Sequence, residues 1–211
     1  PYTTLFRSLP TIAAFVALAL AIGASAAIFS VVNAVLLRPL PVRDPDRIVR
    51  IFESETRRRT DAVSMQDVAD WKQHLHSFES LAFYRPGLAN MTWAQNAVLV
   101  ATLQCDADLF EVLGVRPARG RAFTADDNRP GHDQAVLLSW AFWQSQFGGE
   151  EVIGKTLQID DKPRTIVGVL PENLNILGHK DVWLPAVLDF SKRQSMRGFH
   201  CCLPFGRATP D

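Results

Sequence analysis

Net charge is the first thing this sequence lacks: 22 basic residues balance 22 acidic ones over 211 positions. A nucleic-acid-binding domain carries a basic excess, so the balance argues against that partner, and no nucleic acid is expected. Cysteine is scarce. The three present, Cys105, Cys201 and Cys202, are odd in number with two adjacent, which is not a disulfide framework. A single bridge from Cys105 to Cys201 or Cys202 stays open in an oxidising compartment. The motifs of catalysis are also missing. Gly154-Lys155-Thr156 lacks the upstream glycine of a phosphate loop and precedes a strand-like stretch. There is no H-E-x-x-H or C-x-x-C, and His74 and His76, two apart, fall on different sides of a helix. His200-Cys201-Cys202 with His179 fits no usual zinc spacing. Ser64 and Ser139 lie in no G-x-S-x-G elbow and read as helix caps, while Asp126-Asp127 and Asp160-Asp161 read as turn acids. The expectation is a protein without catalytic, metal or cofactor residues.

Charge is absent locally as well. Residues 8–37 (SLPTIAAFVALALAIGASAAIFSVVNAVLL) hold no Asp, Glu, Lys, Arg or His. A membrane-spanning helix needs roughly 20 apolar residues, and this run exceeds that. A signal peptide is the competitor, with Ala24-Ser25-Ala26 as its cleavage site, but apolar sequence continues past it to Leu37. Both readings export the remainder of the chain. The arginines after the run (Arg38, Arg43, Arg47, Arg50, Arg57, Arg58, Arg59) outnumber the one before it, Arg7, which by the positive-inside tendency points the other way. Long domains, however, translocate largely regardless of charge. Inside the run, Ala19, Gly23 and Ala27 recur every four residues, a small-residue face on which helices approach closely in lipid. Ser30 and Asn33 extend that face with hydrogen-bonding groups. The expected division is 1–8 as an extraneous or cytoplasmic lead-in, 9–38 as a transmembrane helix, and 39–211 as an extracytoplasmic domain.

Beyond Arg38-Pro39, where the helix should stop, the chain alternates short strands and helices irregularly, the mark of an α+β fold. Residues 47–53 read as a first strand and Arg57-Arg58-Arg59 as a solvated loop. Ser64 and Asp67 open a helix to about Leu75, with Val68, Trp71 and Leu75 on one face. Phe78 to Tyr84 form a short element ended by Pro86-Gly87, and 97–105 a strand buried on both faces. A helix 109–113 ends at Gly114, 115–131 is a long loop, and 135–138 a buried strand. Ser139 caps a helix 140–147, and 156–159 and 164–169 flank an Asp160-Asp161 hairpin turn. Residues 181–187 supply a last edge strand, where Pro185 is tolerated. Trp71, Trp143 and Trp183 are expected in the core.

The wording of the chain resembles ABC-transporter permeases of the MacB/FtsX type with a MacB-like periplasmic core domain. The likeness begins at residues 21–41 (AIGASAAIFSVVNAVLLRPLP) and returns at 44–49 (DPDRIV), Asp70-Trp71 and Ser77-Phe78-Glu79. It continues at 110–117 (FEVLGVRP), 120–123 (GRAF), Phe142-Trp143, 147–149 (FGG), 152–157 (VIGKTL), 167–171 (VGVLP) and 181–185 (DVWLP). Ser25-Ala26 replaces a more polar pair of the family, and 199–211 only loosely resembles its strand and Gly-Arg-x-x-Pro turn. The resemblance implies a periplasmic mixed-sheet α+β domain of two subdomains, standing on the first transmembrane helix and C-terminally incomplete. It implies an inner-membrane permease subunit whose periplasmic domain transmits ATP-driven motion to a substrate or partner. The partners it implies are a cytoplasmic ABC ATPase, a second permease chain as homodimer or heterodimer, and inner-membrane lipid. A sensor input domain and a signal-anchored hydrolase are the other readings of an exported α+β module.

Overall fold

The computed structural model describes residues 3–33, 42–55, 58–60, 62–93, 96–174, 176–187 and 200–210. Two compact units divide the chain, Pro1–Leu40 and Pro41–Asp211. The first contains α1, Thr3–Val32, which begins earlier than residue 9 and includes part of the expected lead-in. Its segment Ile12–Val31 has a mean hydropathy of 2.5 and none of it is buried, so it is long and apolar enough to cross a membrane. The expected stop at Arg38-Pro39 lies outside the described residues.

The second unit opens with a 3-10 turn, Pro45–Arg47, and the strands β1 (Ile48–Arg50), β2 (Glu53–Glu55), β3 (Arg58–Thr60) and β4 (Val63–Ser64). Helix α2 (Met65–His74) leads to the long strands β5 (Phe78–Trp93) and β6 (Asn96–Cys105), then to α3 (Leu109–Leu113) and β7 (Arg119–Gly120). After β8 (Ala135–Leu138) and α4 (Trp140–Phe147) come β9 (Thr156–Ile159), β10 (Lys162–Val169), β11 (Val182–Pro185) and β12 (His200–Ala208). Ten of these strands form one mixed sheet in the order β1-β12-β5-β6-β11-β8-β10-β7, with β4 on β12 and β9 joining β10 to β5. The β9 link closes a hydrogen-bonded circuit through β5, β6, β11, β8 and β10. Within the single compact unit Pro41–Asp211, β5 and β6 join this ring to an open flank of β12, β1 and β4.

Local chemistry sets the helix ends. The Ser64 hydroxyl accepts from the Asp67 N–H at 3.1 Å and donates to the Asp67 carboxylate at 2.6 Å, starting α2. Ser139 accepts from the Phe142 N–H at 3.2 Å and starts α4, which ends at Gly148 in the left-handed region. Asp160 and Asp161 both hold positive φ, 48° and 60°, as a two-residue hairpin turn between β9 and β10 requires.

Strand alternation sorts the core into two faces. Tyr84, Leu103, Cys105, Leu137 and Trp183 point to the face covered by Phe110, Val112 and Leu113 of α3. On the other face α2 covers Leu81, Phe83 and Cys202 at the flank. There α4 also plugs the ring, placing Phe142, Trp143 and Phe147 against Val136, Leu138, Ile159 and Ile166.

Several sequence expectations are corrected. Residues 47–53 hold the end of a 3-10 turn, β1 and the start of β2 in place of one strand; of the expected loop Arg57-Arg58-Arg59, Arg58 and Arg59 pair in a β2–β3 ladder and Arg57 lies outside the described residues. Strand β5 runs straight through Pro86-Gly87. Pairing to β12 ends at Tyr84 and pairing to β9 begins at Met91, so Pro86 sits where β5 has a partner on one side only. Strand β11 is central, parallel to β6 and antiparallel to β8, and Pro185 is tolerated because it lies past the end of the β8 ladder. The outer half of β6 is not doubly buried, with Leu99 63% exposed. Trp143 and Trp183 are core residues, whereas Trp71 is only half-buried and Leu75 is exposed.

Candidate functional site

The sequence singled out one small-residue face, and α1 presents it. Ala19, Gly23, Ala27 and Ser30 fall within about 80° of arc at 100° per residue, and Asn33 follows just past the helix end. All five are exposed, and a side chain added at Gly23 would meet nothing within 4 Å.

A second site, in the domain, was not singled out by sequence. It is built on Arg207 of β12, which is 1% exposed. Its Nε and Nη2 donate to the Val112 carbonyl at 3.0 and 2.6 Å, and Nη2 also donates to the Arg43 carbonyl at 2.6 Å. Val112 lies in the last turn of α3, where carbonyls have no intrahelical partner, so the guanidinium caps that end. The Arg43 N–H donates to the next carbonyl, Leu113, at 3.1 Å. Residues 42–47, which follow α1 in the chain, are therefore held on α3 by one arginine and by their own backbone.

Three features make room for this clamp. Asp44 takes a left-handed φ of 42° and lies 3.7 Å from Arg207 Nη1, 3.4 Å from Arg43 Nε and 3.8 Å from Arg47 Nη1. Gly114 ends α3 at φ 64°, and a Cβ there would meet the Arg43 Cβ at 2.4 Å, so only glycine lets the connector pass. Arg47 donates from Nε and Nη2 to the Ala208 carbonyl at 2.9 and 2.5 Å and pairs with Glu79 at 2.5 Å. The ladder Ile48↔Arg207, Val49↔Gly206, Arg50↔Phe205 continues the attachment. The sequence signal was a lone charge, Arg207, directly after the apolar run 201–206, and β12 continues through it to Ala208.

Among the described residues no group of three His, Cys, Asp or Glu could hold a metal ion. His200 pairs with Glu53 at 2.8 Å and His179 with Asp181 at 3.1 Å. The three thiols are free, and Cys105 packs on the α3 face while Cys202 packs on the α2 face, so the Cys105–Cys202 bridge is not formed. Nor does Cys105 bond to Cys201. Lys72 of α2 reaches Asp106 at 2.7 Å and Asp108 at 2.5 Å. Burial pushes the Asp106 carboxyl up to about 6, with Lys72 opposing. For Lys72 burial alone would lower the value, but the two carboxylates outweigh it and hold it raised. These groups tie α2 to the start of α3. Asn128 braces the same junction, donating to the Cys105 and Ala186 carbonyls and accepting from the Ala107 N–H.

The family model for the MacB-like periplasmic core domain matches residues 11–200. No curated protein matches. Solved structures share the fold at low identity. A domain assigned as a permease protein from Porphyromonas gingivalis is 19% identical with a TM-score of 0.63, over 82% of this chain and 76% of that one. The periplasmic region of MacB from Actinobacillus actinomycetemcomitans is 16% identical with a TM-score of 0.58, over 78% and 76%. The extracellular domain of the noncanonical ABC-type transporter YknZ from Gram-positive bacteria is 14% identical with a TM-score of 0.57, over 77% and 84%. With an apolar helix preceding a mixed-sheet domain of this fold, the chain belongs to the MacB-like periplasmic core domain family, of ABC-transporter permeases of the MacB/FtsX type.

Proposed function

We propose that this chain is the first transmembrane helix and the periplasmic domain of an inner-membrane permease subunit in an ABC transport or efflux system. The domain relays ATP-driven motion, generated by a cytoplasmic ATPase, to a substrate or partner. The observation that carries the reading is the clamp: residues 42–47 are fixed to α3 and β12 by Arg207 and Arg47, so motion that reaches residue 42 is passed to the sheet. The exposed face of Ala19, Gly23, Ala27, Ser30 and Asn33 serves to pack α1 against a neighbouring helix of a homodimeric or heterodimeric permease in lipid. Residues 9–38 span the membrane and 39–211 stand outside it.

The test uses the full-length permease with its ATPase in lipid nanodiscs. A keto-bearing amino acid at exposed Glu111 on α3 carries a fluorophore in each of two copies, leaving the cysteines untouched. Trapping the ATPase with vanadate should change the distance between the labels, and Arg207→Met should abolish that change while ATP hydrolysis continues. Identical distances in the apo and trapped states of the unmodified protein would refute the relay.

A further inference from the structure

Successive side chains in a strand point to opposite faces, so neighbouring cysteines ordinarily hold their sulfurs apart. Cys201 and Cys202 do not. The β12–β4 register shifts between His200↔Ser64 and Cys202↔Val63, so Cys201 is the extra residue of a β-bulge. The two Sγ atoms come within 3.0 Å. A disulfide bond is about 2.05 Å, so roughly 1 Å of movement separates this pair from a covalent bond.

The surroundings differentiate the two thiols. Cys202 is fully buried beside Val63, Val68 and Phe83, while Cys201 is partly open. The hydrogen bond with Cys202 lowers the Cys201 thiol to about 7, burial opposes, and Arg85 and His200 add to the lowering. Arg85, on the neighbouring strand β5, also donates to the Gln104 side chain, which fixes its guanidinium nearby. For Cys202 the hydrogen bond with Cys201 and its burial both raise the thiol. A thiolate of moderately lowered pKa, accessible and backed by a second thiol, is the arrangement that supports exchange. Cys105, by contrast, is raised well above the ordinary value by burial and is inert.

We propose that Cys201 and Cys202 form a thiol–disulfide exchange site for low-molecular-weight disulfides, with Cys201 the attacking thiol and Cys202 the resolving one. The Cys201 thiolate attacks one sulfur of R–S–S–R, forming a Cys201–S–S–R bond and expelling R–S⁻, which takes the proton Cys201 gave up. Cys202 then loses its proton and attacks the Cys201 sulfur, closing the Cys201–Cys202 bond and expelling the second R–S⁻, which that proton neutralises. The two electrons lost by the protein reduce the external disulfide to two thiols. Adjacent Cα atoms across a trans peptide are about 3.8 Å apart, below the usual disulfide range of about 4.4–6.8 Å. The closed ring is therefore strained and readily reduced, so the site cycles and does not act as a staple.

The test treats the intact chain in lipid nanodiscs with oxidised glutathione, quenches with acid, alkylates and maps peptides by mass spectrometry. The unmodified protein should lose two hydrogens at Cys201–Cys202, resist alkylation there and leave Cys105 reduced. Cys202→Ser should accumulate a stable glutathione adduct on Cys201, and Cys201→Ser should react at least about tenfold more slowly at Cys202. Phenylarsine oxide on the unmodified protein gives a readout free of folding effects: one arsenical should protect both thiols together. Persistent free thiols at 201 and 202 with no arsenical bridge would overturn the proposal, as would Cys105 reacting as fast as Cys201.

Discussion

Replacing Arg207 with methionine separates the clamp from ordinary core packing. Methionine keeps the unbranched stem and fills much of the space, but it strands two carbonyls, Val112 and Arg43, that now receive three hydrogen bonds. The buried Val112 carbonyl left unpaired costs about 1–3 kcal/mol, and the part-buried Arg43 carbonyl costs less, on the order of 1 kcal/mol. Removing the guanidinium also recovers the cost of burying it, which cancels part of that loss. We expect a net destabilisation of about 2 kcal/mol, or roughly 4–8 °C in Tm for a domain of this size. Arg207→Lys keeps the charge but loses the fork that serves both carbonyls, and should cost about half as much. The assay is denaturant unfolding of the unit 41–211, which has its own core, followed by circular dichroism. Amide hydrogen exchange supplies the local readout. The Arg43 N–H, bonded to the Leu113 carbonyl, should lose protection in the variant while the Val136 and Leu137 amides of β8 keep theirs at concentrations well below the midpoint. A midpoint unchanged within about 0.5 kcal/mol, or an Arg43 amide as protected as before, would show that the connector is held by something else.

Further expectations rest on the same geometry. Gly114→Ala should cost about 1–2 kcal/mol from the left-handed backbone alone and more from the 2.4 Å clash with Arg43, measured in the same unfolding assay; a smaller loss means the connector moves aside freely. Asp106 has its carboxyl raised from 3.8 to about 6, so the folded protein holds a proton that the unfolded chain releases. Its contribution is complete below about pH 4 and is lost as pH rises to about 6, a fall on the order of 3 kcal/mol that Asp106→Asn should flatten; a variant keeping the slope would assign it to another group. Ser139→Ala should cost about 1 kcal/mol by uncapping α4. Gly23→Leu should weaken helix association of the full-length permease in lipid by roughly tenfold, read by energy transfer between labelled copies; unchanged transfer would move the packing face elsewhere on α1.

How much of this was legible in sequence depended on the range of the interaction. Ser64 with Asp67, Ser139, Gly114 and Asp160-Asp161 act within a few residues of themselves, and each marks the boundary its chemistry implies. The uncharged run revealed α1 for the same reason: length and composition are local properties. Pro86 and Pro185 misled because proline's meaning in a strand depends on which neighbouring strand is present at that point, and that is fixed by tertiary pairing. Leu99 misled because alternation locates two faces without saying whether anything covers them. The Arg207 clamp joins positions 95 and 164 residues apart, and the approach of Cys201 to Cys202 depends on a bulge set by β4, so a sequence window shows the lone charge and the adjacent thiols but not what they meet.

The account depends most on the side of the membrane that the sheet occupies. A cysteine introduced at exposed Leu99, in a chain lacking Cys201 and Cys202, can be offered a membrane-impermeant maleimide in intact spheroplasts. Labelling without permeabilisation is the predicted result. Labelling only after the membrane is opened would place the domain in the cytoplasm and contradict the reading of this chain as an outward-facing permease domain.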